Sequence, residues 1–293
     1  PLYKRMMKDT AVTNFYDIQR EFNLYFEGRD KGRGSGWVQF KRWETMMEPA
    51  VFPDGKMFNI SARTLEEYDR YVEDFNYDGL PFNYDPGFWI SMGPSNYKEG
   101  EGWNAGNGRV NCIAFHPTDQ GIIYAGTPAG GLWKCVDYIW EPLTDGFPSI
   151  GISGIAIEPD NPNHIFILTG DGDGANTVSI GVLETWDAGL TWNATGLAWG
   201  VTDNVRGYKL IIHPTNHDIL LAATSAGIFR TTNGGSTWQN EQTGWFMDIE
   251  FKPNAPSTLY ATDKEDFYKS TNTGDSWAIA GTGLPGSGSV RIG

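Results

Sequence analysis

The stretch Thr231-Thr232-Asn233-Gly234-Gly235-Ser236-Thr237-Trp238 decides how the rest of the chain is read. It recurs as Thr185-Trp186-Asp187-Ala188-Gly189-Leu190-Thr191-Trp192 and as Ser270-Thr271-Asn272-Thr273-Gly274-Asp275-Ser276-Trp277. The shared pattern is Ser/Thr-x-Asp/Asn-x-Gly-x-Ser/Thr-Trp. A degenerate copy, Cys135-Val136-Asp137-Tyr138-Ile139-Trp140, is two residues short between Asp and Trp. Each part has a physical reason. Asp or Asn bonds its own backbone and starts a turn. Gly supplies the positive φ of a tight hairpin. The Trp brings a large apolar body and one N–H that needs an acceptor.

A second repeated element precedes each box: a strand ending in x-Pro, a turn, then another strand. The copies are Val110–His116-Pro117 with Ile122–Gly126, Ile155–Pro159 with Ile165–Gly170, Leu210–Pro214 with Ile219–Thr224, and Ile249–Pro253 with Thr258–Thr262. The Pro-to-Pro steps are 42, 55 and 39 residues. Four short strands per unit at that period predict an all-β fold, a β-propeller of four-stranded blades. The phrase Val290-Arg291-Ile292-Gly293 parallels Gly108-Arg109-Val110-Asn111, so four blades and the start of a fifth are expected over 93–293, in a propeller that continues past Gly293.

Residues 1–92 read differently, as a mostly helical and irregular segment. Phe15, Ile18, Phe22 and Phe26 fall on one helical face, and Gly28 ends the run. Thr64-Leu65-Glu66-Glu67 has the form of a capping box, which predicts a helix starting at Thr64 with Leu65, Tyr68, Val72 and Phe75 on one face and Gly79 and Pro81 as its stop. Between these lies the Gly-rich basic loop Gly28–Gly36.

The whole chain has 293 residues and a net charge of −14, which argues against nucleic acid, whose binding rests on Lys and Arg at phosphates. Residues 1–45 carry 9 Lys/Arg against 6 Asp/Glu, so the acidity lies in the remainder, which holds 13 Lys/Arg against 30 Asp/Glu. No apolar run reaches the length of a transmembrane helix. Two cysteines, Cys112 and Cys135, form neither a disulfide framework nor a zinc pattern. On the first and third strands of one blade they sit roughly 9–10 Å apart, too far for a disulfide. Two free, buried thiols are expected.

The boxes match the Asp-box, or BNR repeat, and residues 93–293 resemble the Asp-box propellers of sortilin-type proteins, sialidases and xyloglucan-cleaving hydrolases. Gly108-Arg109-Val110, His116-Pro117, Tyr124-Ala125-Gly126-Thr127 and Gly130-Gly131-Leu132-Trp133-Lys134 are similar to the sortilin-like bacterial group. The Trp37–Trp43 segment and the Thr169-Gly170-Asp171-Gly172-Asp173 loop add a likeness to large exported proteins of Bacteroidota. That resemblance implies type IX secretion, outer-membrane secretion components as partners, and an extracellular or cell-surface location after removal of a signal peptide. Asp9-Thr10-Ala11 fits the short O-glycosylation motif of such proteins. It also implies a structural role for the boxes, at hairpins on the blade periphery: Asp137; Asp187, Gly189 and Trp192; Asn233, Gly235 and Trp238; Asn272, Gly274 and Trp277.

Counting back eight from each repeat's Pro gives Arg109, Gly151, Arg206 and Trp245, with Arg291 in the same phrase at the chain end. Strand starts converge on a propeller's channel, so Arg109, Arg206, Trp245 and Arg291 are the candidate ligand-binding set, suited to a carboxylate, a sulfate or a uronate. The competing expectation pairs each Arg with a local carboxylate. No cofactor is implied, except that Asp171 and Asp173, alternating with Gly, could serve a Ca²⁺ loop. His116 and His213 share one repeat position and read as structural. The xyloglucanase resemblance implies a catalytic Asp at the position of Pro128, which proline cannot replace. No Tyr–Glu pair with an acidic Asp, as a sialidase needs, is marked by spacing. The expectation is therefore a non-catalytic scaffold that recognises glycan or extracellular protein. The alternative is a glycoside hydrolase, sialidase- or xyloglucanase-like, with carboxylates on other blades.

Overall fold

The computed structural model describes residues 1–7, 13–32, 34–57, 60–74, 109–147, 150–174, 177–263 and 265–280. They form two compact units, Pro1–Glu67 and Tyr68–Gly293.

The first unit holds α1 (Leu2–Met6), α2 (Phe15–Tyr25) and α3 (Trp37–Met47); α4 (Ile60–Asp74) crosses the boundary between the units. The Asn14 side chain caps α2 by accepting the Tyr16 N–H at 2.9 Å. Ile18, Phe22 and Phe26 pack with Tyr3 and Phe40 into a small aromatic core. Within it, the Phe22 and Phe40 rings stack with centroids 3.6 Å apart. Helix α3 was not expected; its Trp37, Phe40 and Trp43 follow a Gly-rich loop that masks the period. Thr64 is not a cap. Helix α4 begins four residues earlier because Ile60-Ser61-Ala62-Arg63 continue the helix, and Arg63 then pairs with Glu66 at 3.3 Å and Glu67 at 2.5 Å. Leu65 and Tyr68 are half-buried. The side chain of Val72, along with Phe75, Gly79 and Pro81, lies outside what is described.

The second unit contains four sheets, each of four antiparallel strands in chain order. The first is β1 (Cys112–Phe115), β2 (Ile122–Gly126), β3 (Leu132–Val136) and β4 (Ile139–Pro142). The second is β5 (Ile152–Ile157), β6 (Ile165–Thr169), β7 (Gly181–Thr185) and β8 (Asn193–Ala198). The third is β9 (Gly207–Ile212), β10 (Leu220–Thr224), β11 (Gly227–Thr231) and β12 (Gln239–Gln242). The fourth is β13 (Asp248–Phe251), β14 (Leu259–Thr262), β15 (Phe267–Ser270) and β16 (Ala278–Ile279). Strands β1, β5, β9 and β13 lie side by side from sheet to sheet, so they are the inner strands of successive blades. This is the up-and-down blade stack of a β-propeller.

Three apolar layers join the blades. Tyr124 and Leu132 meet Ile152, Ile165, Ile167 and Leu183 between the first and second. Phe166, Leu168 and Val182 meet Leu210, Leu220 and Ala222 between the second and third. Leu221, Ala223 and Ile228 meet Ile249, Leu259 and Ala261 between the third and fourth. Strands β6 and β10 are buried at every residue, so they read as unbroken apolar runs rather than alternating ones.

The boxes are the turns between third and fourth strands. In each, the Ser/Thr hydroxyl oxygen accepts the Gly N–H at 3.0 Å, from Gly189 to Thr185, Gly235 to Thr231 and Gly274 to Ser270. The Asp or Asn Oδ1 accepts the N–H of the second Ser/Thr, at 2.8 Å for Asp187, 2.9 Å for Asn233 and 3.1 Å for Asn272. Asp187 then accepts the Thr191 hydroxyl, whereas Asn233 and Asn272 donate to Thr237 and Ser276. Two consecutive left-handed residues close every turn: Ala188 and Gly189, Gly234 and Gly235, Thr273 and Gly274. The short copy uses Asp137 and Tyr138 in the same way, with φ 49° and 72°. The boxes also dock blades. A Cβ on Gly235 would stand 3.3 Å from Thr195 of the preceding blade, and one on Gly274 would stand 2.3 Å from Leu221. Trp192 donates to the Leu143 carbonyl of the preceding blade at 3.2 Å; Trp238 and Trp277 donate to the carbonyls of Gly235 and Gly274.

His116 and His213 hold their turns in the same manner. Nδ1 of each accepts a backbone N–H three residues on, from Asp119 and from Asn216, both at 3.0 Å. Both cysteines are free, Cys135 on β3 buried and Cys112 on β1 only half-buried as a residue. The two expected free thiols are both sheltered: Cys112 is half-buried as a whole residue, yet burial is the main cause that raises its thiol.

Candidate functional site

The antiparallel registers place the start of each inner strand beside the end of its second strand: Cys112 opposite Gly126, Ile152 opposite Thr169, Gly207 opposite Thr224 and Asp248 opposite Thr262. One edge of the blades thus collects the residues just before β1, β5, β9 and β13 and the loops just after β2, β6, β10 and β14. Arg109, Gly151, Arg206 and Trp245 all stand on this rim, and Asp171 and Asp173 join them on the loop after β6. Arg291 lies outside the described residues.

Arg109 and Asp171 are brought together across two blades. Nη2 of Arg109 lies 2.5 Å from Oδ2 of Asp171; the arginine side chain is 40% exposed and the carboxylate fully buried. The same carboxylate accepts the backbone N–H of Asp173 at 3.3 Å and of Gly174 at 3.2 Å, and the Asn111 amide at 3.4 Å. These donors neutralise a charge that burial alone would make costly. Asp171 therefore faces a cation and N–H donors from its own protein. Asp173 is exposed on the same loop. Among the described residues no group of three or more His, Cys, Asp or Glu side chains is arranged to hold a metal ion.

The loop carrying these carboxylates abuts the loop that carries Pro128. Thr177 donates its hydroxyl to the Pro128 carbonyl at 2.7 Å. Gly151, the second blade's counterpart of Arg109 and Arg206, sits beneath this contact. A Cβ there would meet Thr177 Oγ1 at 2.1 Å and Pro128 O at 2.2 Å, so no side chain fits.

On its other side the loop touches Tyr208, the second residue of β9. A Cβ on Gly172 would stand 2.4 Å from the Tyr208 ring. The hydroxyl of Tyr208 accepts the indole N–H of Trp245 at 2.6 Å, and the guanidinium of Arg206 lies over the Trp245 ring, 5.4 Å from its centre. The rim is therefore continuous from Arg109 through Asp171 and Tyr208 to Trp245 and Arg206. Sequence reading missed Tyr208, because a tyrosine inside a strand reads as core; it is buried, and its hydroxyl oxygen orients Trp245.

A further acidic loop was missed on the fourth blade. After β14, Asp263 accepts the N–H groups of Glu265 at 2.7 Å and Asp266 at 2.6 Å, and the Tyr268 hydroxyl at 3.0 Å. Burial, and then the bond to Asp263, push the Tyr268 phenol up to about 12. Glu265 is exposed. The signal was available: Thr262-Asp263 occupies the place after the second strand that Thr169-Gly170-Asp171 occupies in the second blade.

No family model matches the chain. It is similar to a xyloglucanase of Hypocrea jecorina, 28% identical over 174 residues, which are 55% of this chain and 21% of that protein. It is also similar to a xyloglucanase of Acetivibrio thermocellus, 30% identical over 169 residues, 53% of this chain and 19% of that one. Among solved structures, an ancestral GH74 enzyme matches with a TM-score of 0.50 and 23% identity, over 61% of this chain and 26% of its own. The chain thus shares a β-propeller fold with a GH74 enzyme and spans about a fifth of the length of the xyloglucanases to which its sequence is similar.

Proposed function

We propose that this protein is a glycoside hydrolase of the xyloglucanase type, and that the inner-strand rim is its substrate face. The observation that carries this reading is the similarity to xyloglucanases over more than half of the chain, on blades whose rim gathers aromatic, cationic and carboxylate side chains. It favours hydrolysis over the non-catalytic scaffold expected from the sequence alone. Cleavage of a glycosidic bond by paired carboxylates needs one group as acid and the other as base or nucleophile. Pro128 supplies neither. Asp171 is committed to Arg109. The carboxylates that this reading assigns to chemistry are Asp173 and Glu265, both exposed on loops of the rim. A polymeric glucan does not cross a membrane, so the same reading places the protein outside the cell; carriage there by type IX machinery, in the sortilin-like manner, rests on the motif resemblance. Among the described residues no helix is long and apolar enough to cross a membrane.

The test is release of reducing ends from xyloglucan by the wild-type protein and by Asp173→Asn and Glu265→Gln. The reading expects turnover by the wild type and a loss of at least about a hundredfold in each variant. Pro128 favours a second reading, glycan recognition without cleavage; binding of xyloglucan with no reducing ends released would establish it instead.

A further inference from the structure

The two arginines of the rim differ in one respect. Arg109 is neutralised by Asp171. Arg206 is half-buried, and among the described residues no carboxylate pairs with it and no acceptor takes its side-chain N–H groups; only its backbone N–H is held, by Ser225 Oγ at 2.9 Å. In a chain of net charge −14 an unpaired, half-buried guanidinium is the exception. Its position is nonetheless fixed. The guanidinium lies over the half-buried Trp245, and the Trp245 N–H is tied to Tyr208, itself buried. A guanidinium held near an aromatic ring by its charge still has its fork of N–H donors to offer a planar anion. The indole beside it offers an apolar surface of the kind that sugar C–H groups cover.

We propose that Arg206, Trp245 and Tyr208 form a subsite for a carboxylated sugar, a uronic acid residue within a glycan. The fork of Arg206 receives the carboxylate in bidentate fashion, Trp245 packs the pyranose ring, and Tyr208 holds the indole in place. The glycan part of this assignment rests on the carbohydrate-active reading above; the carboxylate part rests on Arg206 alone. The subsite would let the rim select acidic side branches over neutral ones.

The experiment is calorimetric titration of the whole protein with a short oligogalacturonide, with a neutral xyloglucan oligosaccharide, and with sodium acetate. The expected result is measurable oligogalacturonide binding that weakens with salt. Arg206→Gln should lower that affinity at least tenfold, Arg206→Lys should lower it partway, and Trp245→Ala should also weaken it, all with unchanged melting temperature. Lys269→Gln, at an exposed position on β15 away from the rim, should leave the ratio of acidic to neutral affinity where it was. The proposal is overturned if the wild type binds the oligogalacturonide no better than the neutral oligosaccharide, if Arg206→Gln leaves its affinity unchanged, or if acetate binds as tightly as the oligogalacturonide. Xyloglucan turnover by the same wild-type sample is read separately, so failure of the hydrolase reading is distinguished from failure of the subsite.

Discussion

Arg109 and Asp171 stand 62 positions apart in the chain and 2.5 Å apart in space, joining the entry of the first inner strand to the loop of the second blade. The carboxylate is fully buried and the guanidinium partly open to solvent. Removing the arginine leaves a buried charge held only by N–H donors. Arg109→Ala is expected to destabilise the β unit by about 1–3 kcal/mol, read as a lower urea midpoint. Asp171→Ala should cost a similar amount, and the double variant less than the sum of the two. Strict additivity would mean that the pair carries no coupling.

The box turns predict a graded series. Asn233→Ala loses the acceptor for the Thr237 N–H and should cost about 1 kcal/mol. Gly274→Ala should cost more, because φ is +82° and the new methyl meets Leu221 of the neighbouring blade. Gly235→Ala should fall between them, since its nearest neighbour, a Thr195 methyl, stands at 3.3 Å. Thermal melting orders the three.

Two groups give the stability a pH dependence of known sign. The Thr185 and Thr191 hydroxyls and the Thr191 N–H hold the Asp187 carboxyl down at about 2. A carboxylate depressed in the folded state stabilises above its unfolded value, near 4, and that contribution is lost as pH falls toward about 2. His213 is lowered, first by burial and then by the charge of His217. Below its unfolded value of about 6.5 the unfolded chain binds the proton more readily, so stability declines as pH falls through that region. Denaturation midpoints should drop in both windows, and Asp187→Asn should shrink the acidic drop while leaving the one near neutral pH in place.

The cysteines predict an inert native protein. Burial pushes the Cys112 thiol up to about 12, only partly offset by its bond with Gly126, and Cys135 is buried on β3. At pH 8 neither should react with iodoacetamide until urea unfolds the β unit, as mass spectrometry would record. Fast labelling of native Cys112 would show the first blade to be open.

What could be read from the sequence was what is local. The boxes carry their own turn chemistry, since Asn233 bonds Thr237 four residues away, and the Pro-anchored strands recur in phase with them. Counting from those prolines also found the rim positions Arg109, Arg206 and Trp245. Their partners were not legible. Asp171 reaches Arg109, and Tyr208 reaches Trp245, across blade boundaries that no spacing encodes, and Tyr208 reads as core because most of it is core. The Thr64 motif misled for the opposite reason. Its local form is sound, but Ile60-Ser61-Ala62-Arg63 are equally good helix formers and carry the start upstream.

The most direct test of the account is quantification of reducing ends released from xyloglucan by the purified protein, alongside Asp173→Asn and Glu265→Gln. The account predicts steady release by the wild type and release at least about a hundredfold slower in both variants. Wild-type protein that releases none, or variants that cut as fast as the wild type, would contradict it.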